Sequence, residues 1–289
     1  MAFFTEKNLR GYHFKLYPDL QEFVNTTKAL NSSNFWDYIP QFKKLLKSNF
    51  ISDFLATELQ KMDEMFDYDF LNQDVGIDII KLPEYTLTLG KLFESTFLGG
   101  NRPEVVGFGS DMMFCNLGPG TLEVEIYEFP CDHPLEVFDK TKTITLKNRL
   151  FQNKGDIIKL RAGKDIIKIL NVNETAFQLY LVSSDIQDLV WHYDEKTLRP
   201  LYATAGKSQT SRIQCMLMML ANLGSKQSIP LLKKLATAKQ HFLRWSAIKT
   251  ITALSPEDGY PLLKEAMHDP HPHVRNASKT TLQLLENPN

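Results

Sequence analysis

The feature that most constrains this chain is a period. Arg212, Arg244 and Arg275 recur at intervals of 32 and 31 residues. Leu223, Leu254 and Leu285 keep the same register, as do Pro230-Leu231-Leu232-Lys233 and Pro261-Leu262-Leu263-Lys264. A unit of this length holds two short helices that cannot bury their apolar faces alone, so successive units must stack. Residues 201–289 are therefore expected to form an α-α solenoid, with each arginine at the start of a helix.

The turn Asp269-Pro270-His271-Pro272-His273-Val274-Arg275 carries an acid, prolines, and then Val-Arg at a helix start. It resembles the inter-repeat signature of short HEAT-like repeats, and the likeness spans about residues 208–287. Such repeats are chiefly binding surfaces, so the resemblance implies a macromolecular partner. His268, His271 and His273 crowd this turn and could in principle bind zinc. Their position among the variable polar residues of a repeat turn favours a structural reading.

Residues 91–200 alternate short β-rich runs with turns. Leu122-Glu123-Val124-Glu125-Ile126-Tyr127 has the period of two expected of a half-buried strand. Ile166 to Leu170 and Ala176 to Val182 continue the pattern, with Gly118-Pro119-Gly120 expected as a hairpin turn and Asn171-Val172-Asn173-Glu174 as another turn. Many short strands in sequence favour a barrel or sandwich. Residues 129–141 read as an inserted loop.

Gly155-Asp156-Ile157-Ile158-Lys159-Leu160-Arg161-Ala162-Gly163-Lys164-Asp165-Ile166 reads as strand, glycine turn, strand. It resembles the second motif of the cupin family, in which a metal-binding histidine stands where this chain has Ile166. The tail of the family's first motif can be laid on residues 107–120. The two histidine positions are then Gly107 and Gly109, and the glutamate position is Met113. Glycine, methionine and isoleucine supply no imidazole or carboxylate for a first-row metal. The resemblance thus implies a cupin-like double-stranded β-helix barrel with no metal and no cofactor.

Residues 1–90 read as helical. One helix opens at Pro18 or Asp19 with Leu20, Phe23, Val24 and Leu30, and a second follows Pro40. A third covers 51–66, with Phe54, Leu55, Leu59, Met62 and Met65 at spacings of three and four. Asp53, Glu58, Asp63, Glu64, Asp67 and Asp69 are expected to form an acidic surface. The fold class is therefore α+β multidomain: a helical segment to 90, a cupin-like barrel over 91–200, and repeats over 201–289.

The 289 residues carry a formal charge of −1, which predicts no global attraction to nucleic acid or membrane. That average hides an asymmetry: residues 196–256 hold ten Lys and Arg and not one Asp or Glu. Lys207, Arg212, Lys233, Lys234, Lys239 and Arg244 are the partner-binding candidates. An acidic protein surface is the leading partner, with nucleic acid, a small ligand in the barrel and a homodimer through the barrel as alternatives. Arg212 and Arg244 lack the preceding acid of the third repeat, where Asp269 is expected to pair with Arg275.

Three widely spaced cysteines suit a reducing compartment. The start, Met1-Ala2-Phe3-Phe4-Thr5-Glu6-Lys7, does not read as a secretory signal, and a soluble cytoplasmic protein without a membrane partner is expected. There is no phosphate-binding Gly-Lys-Ser/Thr loop and no Gly-x-Ser-x-Gly elbow. His192-Tyr193-Asp194 and Cys131-Asp132-His133 are short matches to an iron half-triad and to a nucleophile-base pair. The reading is a non-enzymatic binding or regulatory protein; the alternative is a cupin-type metal-dependent oxygenase or isomerase with an atypical site. A barrel interior filled with apolar side chains would favour the former.

Overall fold

A computed structural model describes residues 17–30, 32, 34–64, 76–92 and 104–286. Met65, Asp67 and Asp69 lie outside them. The described chain divides into two compact units, one of residues up to 129 with 144–186, the other of 130–143 with 187–289. The boundaries expected at 90 and 200 do not coincide with the edges of these units.

The first unit opens with α1 (Pro18–Leu30), α2 (Ile39–Leu46) and α3 (Phe50–Glu64). Pro40 sits in the first turn of α2, where its missing N–H costs nothing. The helices bury Phe23, Phe42, Leu45, Phe50 and Phe54. Glu58 is also buried, so it is not part of an acidic surface.

Two strands follow where helix was expected: β1 (Gly76–Lys81) and β2 (Tyr85–Leu92). Their reason is a period of two, Ile77-Asp78-Ile79 and Tyr85-Thr86-Leu87-Thr88-Leu89, which suits a pleated face. Then come β3 (Glu104–Val106), β4 (Met112–Glu128), β5 (Thr145–Gln152), β6 (Ile157–Leu160) and β7 (Asp165–Ser183). The sheet order is β1-β2-β7-β4-β5, with β6 also on β4. One face, with Ile77, Leu87, Leu89, Met113, Cys115, Leu179 and Leu181, buries the aromatic side chains of the helices. The other gathers Phe114, Leu122, Val124, Ile126, Ile158, Leu160, Val172 and Ala176 into an apolar interior.

Two expected turns are not turns. Gly118-Pro119-Gly120 lies inside β4, and Asn171-Val172-Asn173-Glu174 lies inside β7. They face each other where the β4–β7 register shifts, so both strands bend together. The buried Asn116 amide shapes the bend: its Nδ2 donates to Gly120 O and Gln152 O, and its Oδ1 accepts from Gly118 N. Gly118 has φ 84° and Glu174 φ 64°, and a Cβ on Gly120 would stand 2.4 Å from Asn173 O.

The second unit contains β8 (Leu189–Asp194) and β9 (Pro200–Ala205), an antiparallel pair, and five helices. These are α4 (Ser208–Asn222), α5 (Ile229–Leu235), α6 (His241–Leu254), α7 (Pro256–Ala266) and α8 (Pro272–Glu286). Residues 130–143 belong to this unit, where Trp191 Nε1 donates to Leu135 O. Leu217, Leu232, Ile251 and Leu254 form one core between helices, and Ile248, Leu263, Ala266, Val274 and Leu282 the next. The in-register leucines show the stacking logic. Leu254, with repeat neighbours on both sides, is 6% exposed; Leu223 and Leu285 are 79% and 48% exposed. None of the described helices is long and apolar enough to cross a membrane.

Helices α6 and α7 approach so closely that a Cβ on Gly259 would lie 2.4 Å from Thr252 Cα. In an exposed helix interior, Gly→Ala gains about 1 kcal/mol. Here the sign reverses, because backbone must move: Gly259→Ala is expected to destabilise by about 1–3 kcal/mol. Thermal unfolding of the variant checks this; a raised Tm would mean the helices can part freely.

Candidate functional site

The cupin-motif positions come first, because they are where chemistry would be expected. Gly107 and Ile166 are joined by an isolated antiparallel bridge. Met113 pairs with Leu181, towards the other end of β7, and is buried against the helix-facing cluster. Ile166 stands opposite Tyr127 in the β4–β7 ladder, whereas Ile126 and Ile167 face the apolar interior. Directly opposed residues share a face and neighbours alternate. Neither Met113 nor Ile166 therefore points into that interior, and Gly109 adds no side chain. These positions do not converge on one point.

Beside Ile166, Asp165 is 3% exposed yet charged. Arg161 holds it in a fork, Nε to Oδ2 and Nη2 to Oδ1, both 2.8 Å, and Lys147 Nζ lies 3.1 Å from Oδ1. Burial alone would raise the carboxyl's pKa; the hydrogen bonds from Arg161 and Lys147 outweigh it and hold the pKa down to about 2. Arg161 also reaches Glu128 at 2.8 Å, so the glycine turn of residues 161–165 is tied to the end of β4. The acid next to the histidine position is a structural ion pair.

The two short motif matches dissolve into local contacts. The His192 ring stacks on Tyr202 at 4.4 Å and its Nε2 meets Thr204 Oγ1, while Asp194 accepts from the backbone of Lys196 and Thr197. Asp132 lies 3.5 Å from Lys142 Nζ, and His133 meets the Trp191 ring edge-on.

The basic stretch contains both committed and exposed cations. Arg244 forms a fork with Asp269, Nε to Oδ2 at 2.8 Å and Nη2 to Oδ1 at 2.6 Å, with side chains 13% and 8% exposed. Its Nη1 also donates to Ala238 O and Lys239 O. Arg275 repeats the capping, donating to Asp269 O and Pro270 O. Asp269 thus pairs across repeats with Arg244, correcting the expected side-chain pairing with Arg275. A carboxylate reaching back to the preceding repeat staples two units, which a pairing within one turn would not. Arg244 is accordingly structural and not presented to a partner.

Lys233 pairs with Asp258, the first acid but one after the acid-free stretch, at 2.7 Å on the surface. Lys207, Arg212, Lys234 and Lys239 are exposed. Arg212 shares a face of α4 with Met216, Met219 and Leu223, spaced by four, three and four residues. These three apolar side chains are 57% exposed or more, with Met218 and Leu231 also open.

A second cluster was missed. The imidazoles of His241, His271 and His273 each offer a nitrogen within 4.8 Å of the others. His241 opens α6, and the other two flank the start of α8. His241 and His271 stack at 3.5 Å with planes 4° apart, and His273 lies across His271 at 71°. Burial, then the neighbouring His271 and His273, hold the His241 pKa down to about 4, and burial lowers that of His271. His268, expected among the crowd, is exposed and is not in the cluster. The repeat itself was the signal: adding its period of 31 to His241 lands between His271 and His273.

Comparison with known proteins divides along the same lines. A family model for HEAT repeats matches residues 198–283, so the C-terminal helices are similar to that family. No curated protein matches the chain. Among solved structures it is similar to the cupin domain of Schizosaccharomyces pombe Cnp3, at 14% identity over 41% of this chain and 68% of that one, with a TM-score of 0.25. A cupin-2 domain protein from Shewanella frigidimarina matches at 14% identity, 44% and 96% coverage, and a TM-score of 0.24. A hydroquinone 1,2-dioxygenase from Sphingomonas sp. TTNP3 matches at 9%, 39% and 68%, and 0.27. Superpositions this loose transfer no site.

Asp165 gives a pH test. A carboxyl depressed in the folded state stabilises above its unfolded pKa of about 3.9, and that contribution fades as pH falls towards 2. Asp165→Asn is expected to cost about 1–3 kcal/mol at neutral pH. The gap to wild type should close between about pH 4 and pH 2 in denaturant titrations. A gap independent of pH would mean the carboxylate charge contributes nothing.

Proposed function

We propose that this chain is a non-catalytic binding or regulatory module whose C-terminal repeat solenoid holds an acidic, amphipathic segment of a protein partner. The observation that carries the reading is the open face of α4, where Met216, Met219 and Leu223 follow Arg212 in a stretch without acids. A contiguous exposed apolar stripe marks an interaction surface. The exposed cations of the same acid-free stretch, Lys207, Lys234 and Lys239, would raise the rate of encounter with an acidic partner. Thioethers and leucine suit a protein partner better than nucleic acid, whose bases stack on aromatic side chains.

The β region supports the same class of function. Gly107, Gly109, Met113 and Ile166 carry no imidazole or carboxylate, and the interior is filled by Phe114, Leu122, Val124, Ile126 and their neighbours. That favours a scaffold over an oxygenase or isomerase, and over a small-ligand container. Exposed Leu146 and Phe151 on the edge strand β5, 54% and 62% exposed, favour a second contact, with another copy of the chain.

The test pairs two double variants, Met216→Glu/Met219→Glu and Lys234→Glu/Lys239→Glu, on the full chain. Both are expected to keep the wild-type circular dichroism spectrum and to lose the proteins recovered with wild type from cell extract. The lysine pair should weaken binding about tenfold or more at low salt and less at high salt, as screening predicts. Recovery unchanged in both variants would sink the proposal. Recovery abolished by nuclease treatment would assign the face to nucleic acid instead.

A further inference from the structure

We propose that His241, His271 and His273 form a binding site for a divalent transition-metal ion of the zinc class, built across two successive repeats. Three imidazoles are the donor set that zinc, copper and nickel select, and three protein ligands with an open fourth position is an established zinc arrangement. Nitrogens on a tetrahedral zinc stand about 3.3 Å apart, given bonds of about 2.0–2.1 Å. Here they already lie within 4.8 Å. Side-chain rotation that splays the stacked His241 and His271 rings closes the difference.

The hydrogen bonds around His271 fix which nitrogen faces the ion. Its Nδ1 accepts from the His273 backbone N–H at 3.2 Å, so in the neutral ring Nε2 carries the proton. That Nε2 faces Glu136 O at 3.1 Å and donates to it. A ligating histidine typically gives its other N–H to a carbonyl or carboxylate, which sets ring orientation and raises basicity. His271 is thus oriented to present Nδ1, in exchange for one long backbone contact. Its own N–H is anchored by Asp269 Oδ1 at 2.7 Å, the carboxylate that Arg244 grips. The repeat staple therefore also places the ligand, and it pairs the nearest arginine charge with an acid.

The consequence is mechanical. A metal here would join the start of α6, the start of α8 and the loop of residues 130–143, all in one unit. It would stiffen the last repeat without touching the open face of α4, so the inference stands apart from the proposed partner surface.

The test uses untagged full-length protein freed of metal by chelation. Titration with cobalt is expected to give visible absorption bands of a tetrahedral nitrogen site, saturating at one equivalent. Zinc should displace the cobalt and raise the Tm of the stripped protein. His241→Ala and His273→Ala should each weaken zinc binding by at least about tenfold, while His268→Ala leaves it unchanged. Should either alanine variant unfold, His241→Gln and His273→Gln, compared by Tm without metal, keep the comparison clean. No saturable equivalent at micromolar zinc would overturn the proposal. So would affinity that survives loss of His241, or that falls equally with loss of His268.

Discussion

Everything in the first unit hangs on one antiparallel pairing. β4 and β7 run together from Met112↔Val182 to Glu128↔Asp165, and β2, β5 and β6 attach to one or the other. Because neighbouring side chains point to opposite faces, this pair feeds two separate cores at once. Met113 and Cys115 serve the helix-facing core, and Phe114, Leu122 and Val124 the interior. The pair can do so only because it bends at Asn116–Gly120, where a buried amide replaces the hydrogen bonds that the ladder gives up.

The second unit depends on a different device. A stack of short helices has no long-range strand pairing, so its register rests on apolar contacts between neighbours and on the Arg244–Asp269 fork. Taking both groups out of water is costly, and losing either partner strands a charge. The arrangement thus specifies one spacing between repeats more than it adds net stability. The same fork fixes the turn that carries His271.

Where function is concerned, the two units have been shaped in opposite senses. In the β region, the charged groups of the glycine turn, such as Asp165 and Arg161, are spent on holding that turn, and the interior is apolar. In the helical unit, apolar groups that could have been buried stay open on α4, in a stretch of sequence whose charged residues are all basic. Exposed apolar area is costly to keep, so its persistence beside one sign of charge is the more informative of the two.

The sequence by itself determined the repeat period, the helix starts at its arginines, the strands whose side chains alternate, and the loss of metal donors at Gly107, Gly109, Met113 and Ile166. Each is a local or periodic property, and physics of short range suffices to read it. Tertiary structure alone decided the rest. It turned two apparent turns into one crease, since glycine and asparagine signal a backbone departure but not whether the partner strand departs with it. It sent Asp269 to Arg244 and not to Arg275, because an ion pair is settled by distance in space. It also gathered His241 with His271 and His273, and left Met216 and Met219 uncovered. Which face of an amphipathic helix is buried depends on what stacks against it, and the first helix of a repeat array has a neighbour on one side only.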